Sequence, residues 1–312
     1  MATTWLPYDT IDAVRAAVGT VDGVDIDVFA TPDMPVPASA AKVELIVLPN
    51  QGGIQVWEAL RGVDLPKLRA IQLGSAGFDH MIPMLRPGVQ LLNAGGVHDA
   101  GTAEMALALA LANLRRIDVY ARQQAEHVWR GGLTPSLADR KAMIFGYGRI
   151  GAAVEARLLP FEPASVVRVA RSARTEPEVH PVTALGDLLG GVDLVFITAP
   201  STPETTRVFN AEMLAKLPDG ALVVNVGRGV IIDTEAMLAE AGRLRFALDV
   251  TDPEPLPADH PLWDAPNVTI APHVGGHCDA YHPRIARLIR QQLERLAAGE
   301  PFLNVVHEGS RS

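Results

Sequence analysis

Three short stretches of this chain carry side chains suited to holding an anion and moving a proton. In Val224-Asn225-Val226-Gly227-Arg228-Gly229-Val230 an apolar run ends in an arginine flanked by glycines. A guanidinium on such a turn can reach a carboxylate and bind it through charged, bidentate hydrogen bonds. In Leu248-Asp249-Val250-Thr251-Asp252-Pro253-Glu254-Pro255 a second run ends in an acidic loop stiffened by prolines. In Ile270-Ala271-Pro272-His273-Val274-Gly275-Gly276 a third ends in a histidine on a glycine-rich turn. Imidazole titrates near neutrality and suits general acid–base work. Singly, each residue has a plainer reading. A lone histidine after a strand is more often structural, a glutamate among prolines is usually solvated, and an arginine between glycines can mark a helix start. Three such residues at three strand ends, downstream of a nucleotide motif, point instead to acid–base chemistry on an anionic substrate.

That motif is Gly146-x-Gly148-x-x-Gly151, set between the apolar run Ala142–Phe145 and the helical pattern Ala152–Leu159. Gly146 permits a tight turn, Gly148 lets the backbone approach a pyrophosphate, and Gly151 lets helix and strand pack closely. The helix start offers unpaired N–H groups to the diphosphate. A site for NAD usually carries an acid about twenty residues further on, against the ribose hydroxyls. Here the strand Val166–Ala170 ends in Arg171-Ser172-Ala173-Arg174, with no acid before Glu176. Two guanidiniums and a hydroxyl suit a 2′-phosphate, so NADP is expected in preference to NAD. The competing reading is a solvated basic turn.

These loops need strands to hold them. Apolar runs at Val43–Leu48, Leu68–Leu73 and Val89–Asn93 read as strands before the motif. Further strands are expected at Val166–Ala170, Leu194–Thr198, Leu222–Val226, Phe246–Val250 and Val268–Ile270, separated by helix-length segments. Such alternation predicts α/β architecture with parallel, doubly wound sheets. One long helix is expected from Thr102, as N-cap, to Trp129. Its first half is apolar nearly all round, which either a subunit interface or burial within the chain would explain. Gly131–Arg140 reads as a loop, Tyr281–Ala298 as an amphipathic helix and Phe302–Val306 as a returning strand. The first half-sheet lacks the glycine motif and is expected to be a separate domain, onto which the terminal helix docks.

The composition limits the remaining choices. With 312 residues, 48% of them hydrophobic, the chain is long enough for two domains with sizeable cores. A net charge of −9 argues against nucleic acid or an anionic membrane as partner. The single cysteine, Cys278, allows no intrachain disulfide and fits a cytoplasmic setting. No signal peptide is read at the N-terminus, and the longest apolar stretch, Met105–Ala112, is too short to span a bilayer. His273, His277, Cys278 and Asp279 lack zinc spacing, so no metal is expected.

Together, Gly146-x-Gly148-x-x-Gly151, Asn225-Val226-Gly227-Arg228-Gly229, Asp249-Val250 with Glu254-Pro255, and Pro272-His273-x-Gly275-Gly276 resemble the motifs of the D-isomer-specific 2-hydroxyacid dehydrogenase family. Gly74-Ser75-Ala76-Gly77-Phe78-Asp79 resembles its carboxylate-binding loop, although His80-Met81-Ile82-Pro83 departs from the acidic continuation. Asn93–Arg116 resembles its interdomain hinge and dimer helix. The run Leu248–Gly276 looks nearest to the NADPH-preferring glyoxylate/hydroxypyruvate reductase branch.

The resemblance implies a Rossmann-type cofactor domain, residues 96–280, inserted into a flavodoxin-like substrate domain of residues 1–95 and 281–312. It implies hydride transfer between a nicotinamide and C2 of a small 2-keto or 2-hydroxy acid, with His273 as general acid, Glu254 as its partner and Arg228 on the carboxylate. Ser75, Ala76 and Gly77 would hold the substrate with Arg228 and His273. Gly146, Tyr147, Gly148, Arg149, Ile150, Gly151, Arg171, Ser172, Arg174, Ala199, Pro200, Thr205, Val226, Gly227, Asp249 and Gly275 would line the cofactor. A homodimer is implied as well. The alternatives within the family are an NAD-dependent phosphoglycerate-type enzyme, against which Arg171 and Arg174 argue, and a nucleotide-sensing interaction protein. A formate dehydrogenase relative is disfavoured, because it would carry Gln in place of Glu254. No serine-responsive regulatory domain is expected after the terminal helix.

Overall fold

Apolar runs too continuous to alternate, such as Leu45-Ile46-Val47-Leu48 and Ala142-Met143-Ile144-Phe145, belong to strands covered on both faces. The computed structural model, which describes residues 1–309, contains two sheets of this kind. The chain begins with strand β1 (Ala2–Leu6), helix α1 (Ile11–Ala17), strands β2 (Val24–Val28) and β3 (Val43–Val47), helix α2 (Gly53–Ala59) and strands β4 (Ala70–Gln72) and β5 (Gln90–Leu92). It continues through helices α3 (Asp99–Leu114) and α4 (Ile117–Ala125), strand β6 (Lys141–Phe145), helix α5 (Arg149–Leu158) and strands β7 (Ser165–Ala170), β8 (Arg174–Thr175) and β9 (Glu178–Pro181). Then come helix α6 (Leu185–Leu188), strand β10 (Leu194–Ile197), helix α7 (Ala211–Ala215), strand β11 (Leu222–Asn225), helix α8 (Thr234–Glu240) and strands β12 (Arg245–Leu248) and β13 (Val268–Ile270). Helix α9 (Tyr281–Ala298) and strand β14 (Val305–His307) close the chain. One compact unit comprises residues 1–98 with Asp279 onward, the other Asp99–Cys278.

In the first unit the strand order is β14-β5-β4-β3-β1-β2, parallel except for β14, which runs antiparallel to β5. The order 2-1-3-4-5 is that of a flavodoxin-like doubly wound sheet. Leu6, Leu45, Val47 and Leu92 face α9, whose Ile285, Leu288, Ile289, Leu293 and Leu296 recur at helical spacing. Trp5, Ile46, Ile71 and Leu91 face the opposite way, with Val56 and Trp57 of α2.

In the second unit the order is β13-β12-β11-β10-β6-β7-β9-β8, parallel except for the β8–β9 hairpin. Counted from β6, this is the 3-2-1-4-5-6 winding of a Rossmann sheet with two further strands, β13 and β8, at its edges. Successive residues take opposite faces. Met143, Phe145, Val195 and Ile197 share one core with Leu214 and Met237, while Ala142, Ile144, Leu194 and Phe196 share the other with α3 and α5.

The single helix expected over 102–129 is two. Arg116 takes a left-handed conformation (φ 56°) and turns the chain between α3 and α4. The end of α3 is fixed by Asn113, whose Nδ2 donates to the carbonyls of Phe246 and Asn267 and to Thr269 Oγ1. Thr102 is not the cap: α3 starts at Asp99, and Thr102 is buried within it. The apolar first half of that helix packs on strands of its own unit, so burial within the chain accounts for it. Sequence reading also passed over β1, β2 and the β8–β9 hairpin, which are short and half polar.

Gln292 ties α9 to its sheet. Its Nε2 donates to Gln72 Oε1 (2.8 Å, buried) and to the Leu303 carbonyl (3.0 Å), and its Oε1 accepts from Leu303 N (3.0 Å), the last two partly buried. Replacing Gln292 with Leu strands these partners, each at about 1–3 kcal/mol. Urea unfolding monitored by circular dichroism is expected to show a loss of that order; an unchanged midpoint would mean that the amide carries no weight.

Candidate active site

The arginine, glutamate and histidine stretches follow β11, β12 and β13, three neighbouring parallel strands with their ends in register (Asn225↔Leu248↔Ile270). All three loops therefore leave the sheet at one edge, its carboxyl edge, where open α/β sheets bind ligands. The Arg228 turn is held by a side chain from its own strand. Asn225, buried, donates from Nδ2 to the Arg228 carbonyl (2.9 Å) and accepts at Oδ1 from Gly227 N (3.0 Å). The flanking glycines are sterically required: a Cβ on Gly227 would stand 2.6 Å from Ala199 O, and one on Gly229 1.9 Å from Thr251 O. Arg228 is half-buried, and among the described residues no carboxylate lies within ion-pairing distance of its guanidinium.

His273 Nδ1 makes a short hydrogen bond to Glu254 Oε1, and both side chains remain partly open to solvent (49% and 39%). That bond raises the imidazole pKa against the opposing effect of burial; the charges of Glu254 and Asp249 raise it further, while Arg228 lowers it. For Glu254, burial favours the neutral acid, but the hydrogen bond with His273, its charge and that of Arg228 outweigh this and leave the pKa below the ordinary carboxylate value. The pair thus favours imidazolium–carboxylate, with Nε2 left to face a ligand.

His273 itself has φ 54°, an uncommon backbone conformation for a residue with a Cβ. Asp249 holds it there. The buried carboxylate accepts from Val274 N and Gly275 N (2.9 Å each), and the Asp249 carbonyl accepts from His273 N (2.8 Å). Both carboxylate oxygens are thereby engaged with the histidine turn. A Cβ on Gly275 would come 2.7 Å from Oδ2.

The glycine motif lies on the same sheet, where the winding reverses between β6 and β10. Gly146 (φ 104°) passes so near Ala199 that a Cβ would lie 2.3 Å from Ala199 N, and on Gly151 it would lie 2.8 Å from Gly146 O. Gly148 opens α5 without a side-chain cap, and a Cβ there would meet nothing nearer than Gly146 O at 4.0 Å. The first amides of α5, at Arg149, Ile150 and Gly151, therefore have no intrahelical acceptor and border open space, which fits a dinucleotide pyrophosphate. The loop after β10 is ordered by Thr205, whose Oγ1 donates to Pro200 O and accepts from Thr202 N (2.8 Å each). Ala199 and Val226 are buried at the ends of their strands.

Arg171, Ser172 and Arg174 are exposed beyond β7, but the two arginines differ. Arg174 donates to the Tyr147 carbonyl and lies over the Tyr147 ring (5.4 Å), fastening the basic turn to the glycine turn. Arg168, missed in the sequence, also lies over that ring (5.5 Å) and pairs with Glu155, a buried carboxylate that accepts from the Tyr147 hydroxyl as well. Arg171 takes part in no such bond.

In the other unit, Ser75, Ala76 and Gly77 form a half-buried loop after β4. Its carbonyls are all engaged: Ser75 O accepts from Ala94 N, Ala76 O from Asn93 Nδ2 and Gly77 O from Ser75 Oγ. The three amides donate to no acceptor among the described residues. A loop fixed through its carbonyls, with its N–H groups free, is suited to an anion.

A family model described as the NAD binding domain of D-isomer specific 2-hydroxyacid dehydrogenases matches residues 107–275. The chain belongs to this dehydrogenase family. It is therefore an oxidoreductase with an NAD-binding domain. It is 34% identical to a glyoxylate/hydroxypyruvate reductase B of Pectobacterium carotovorum over 80% of each chain. Among solved structures it resembles a family member from Xanthobacter autotrophicus in complex with NADPH and MES (TM-score 0.78, 28% identity, 98% of each chain). It also resembles an NADPH-dependent glyoxylate/hydroxypyruvate reductase of Sinorhizobium meliloti in complex with NADP and sulfate (TM-score 0.80, 25% identity, 100% of each chain). In this dehydrogenase no helix among the described residues is long and apolar enough to cross a membrane.

The polarity of the His273–Glu254 pair sets a pH signature. Because Glu254 raises the imidazole pKa, His273 is expected to hold its proton to higher pH than a free imidazole. Glu254→Gln removes the charge, so the His273 titration profile, followed by NMR, should move to lower pH. A profile that does not move would show that Glu254 does not govern His273.

Proposed function

We propose that this family member is an NADP(H)-preferring reductase of small 2-keto acids, glyoxylate or hydroxypyruvate foremost, with residues 99–278 binding the cofactor and the other unit binding substrate. The observation that carries the reading is the His273–Glu254 pair beside an Arg228 with no carboxylate of its own. The nicotinamide, when bound, supplies the hydride that C2 receives. His273, held at Nδ1 by Glu254, presents Nε2 to the carbonyl oxygen and gives it a proton as negative charge develops there. Its raised pKa keeps it charged for that step, and it regains a proton from solvent. Arg228 clamps the carboxylate and polarises the carbonyl. In the other unit, the free amides of Ser75, Ala76 and Gly77 suit a substrate carboxylate.

Preference for NADP is supported by Arg171, exposed and outside the Tyr147 clamp, with Ser172 beside it. The NADPH and NADP of the Xanthobacter and Sinorhizobium structures agree with it. In this reading Arg174 serves chiefly to position the turn. A second copy of the chain is the proposed partner. Its support comes from the segment after α3, where Ile117, Trp129 and Leu133 are exposed. The lone cysteine agrees with a cytoplasmic setting.

Steady-state kinetics with glyoxylate and hydroxypyruvate against NADPH and NADH test the reading. His273→Ala is expected to lower kcat by about two to four orders of magnitude, and near-normal turnover would refute the acid assignment. Arg171→Asp should shift the kcat/KM ratio from NADPH toward NADH; a ratio that stays put would remove the 2′-phosphate argument.

A further inference from the structure

The substrate loop of the first unit has a neighbour that the reaction scheme above leaves unused. Gly74 opens the loop, and a Cβ on it would stand 2.6 Å from Asn50 N and 2.9 Å from the hydroxyl oxygen of Tyr281. Tyr281 is the first residue of α9, and its ring stacks on His98 (centroids 5.2 Å apart, planes at 29°). His98 is in turn bonded through Nε2 to the Gly74 carbonyl (3.0 Å). The phenol is therefore fixed against the loop by packing on one side and by the absence of a side chain on the other. Its hydroxyl makes no hydrogen bond to any protein group among the described residues, yet its oxygen is not sealed from solvent. Burial, together with the nearby Tyr8, pushes its pKa up, so the group stays neutral and protonated. A rigid O–H without an acceptor thus stands at Gly74, where the loop that carries three amides without acceptors begins.

We infer that the Tyr281 hydroxyl is a further substrate-binding group, donating to the same carboxylate that the amides of Ser75, Ala76 and Gly77 hold. The inference rests on the 2-keto acid reading above. The chemistry favours an anion over a neutral group. Four donors on one loop and its neighbour lack a protein acceptor among the described residues, and a hydrogen bond to a charged acceptor is the stronger kind. The placement follows from topology. Asn50 and Gly74 follow the carboxyl ends of β3 and β4, Tyr8 follows β1, and the winding reverses between β1 and β3.

Tyr281→Phe removes only the oxygen and keeps the stacked ring. KM for glyoxylate and for hydroxypyruvate should each rise about tenfold or more. kcat should stay within about twofold, the pattern of lost ground-state binding. NADPH affinity, read by cofactor fluorescence, should not move. Unchanged KM for both acids would overturn the assignment. So would a rise confined to hydroxypyruvate, which would place the bond on its C3 hydroxyl. A fall in kcat accompanied by a lower melting temperature would assign the phenol to packing and overturn it too. Failure of the underlying reading looks different. The unaltered protein with NADPH would then reduce neither acid and bind no oxalate by calorimetry, and the inference would fall with it.

Discussion

The buried carboxylate of Asp249 sets the geometry of the turn that carries His273. It leaves the end of β12, crosses to the turn after β13 and accepts from two successive amides, Val274 and Gly275. Those bonds keep His273 at positive φ, a conformation that costs an L-residue about 1–2 kcal/mol. Hydrogen bonds to an ionised acceptor contribute about 1.5–3 kcal/mol each, so two of them exceed the strain. The imidazole is then aimed by the backbone and trimmed by Glu254, which fixes Nδ1 and leaves Nε2 outward. Asn225 does the corresponding work for Arg228, bonding the turn on both sides of that residue. Arg228 and His273 each sit on a loop stapled by a buried polar side chain at a strand end.

The glycine motif and the placement of Arg228, Glu254 and His273 at neighbouring strand ends were legible because their reasons are local. A glycine that cannot accept a Cβ, as at Gly146 beside Ala199, leaves a fixed trace in the sequence. A histidine, a glutamate and an arginine at successive strand ends leave another. The staples were not legible as such. In sequence Asp249 reads as a cofactor-side residue, and its bonds to residues 274 and 275 depend on which strands become neighbours. Arg168 and Glu155 were passed over for the same reason: a buried ion pair beneath the glycine turn looks, in one dimension, like two ordinary polar positions on a strand and a helix. The division of the long helix at Arg116 was hidden by residues that favour helix on both sides, and what decides it is the tertiary anchoring of Asn113.

The basic turn after β7 carries a similar lesson about charge. Three arginines lie near it, and counting them suggests a strongly cationic pocket. One is neutralised by Glu155 and another is bonded to the Tyr147 carbonyl, which leaves Arg171 outside both contacts. The turn therefore holds fewer uncommitted cations than its composition implies.

The chain leaves its first sheet after β5 and comes back to it only with α9 and β14. Growth from the ribosome gives this an order. The nucleotide-binding half has every strand it needs once residue 270 has emerged, whereas the sheet begun at residue 2 still lacks α9 from one of its covering layers. Leu45, Val47 and Leu92 therefore stay wet through more than half of translation, a burden of nascent, sticky surface that falls on whatever escorts the young polypeptide.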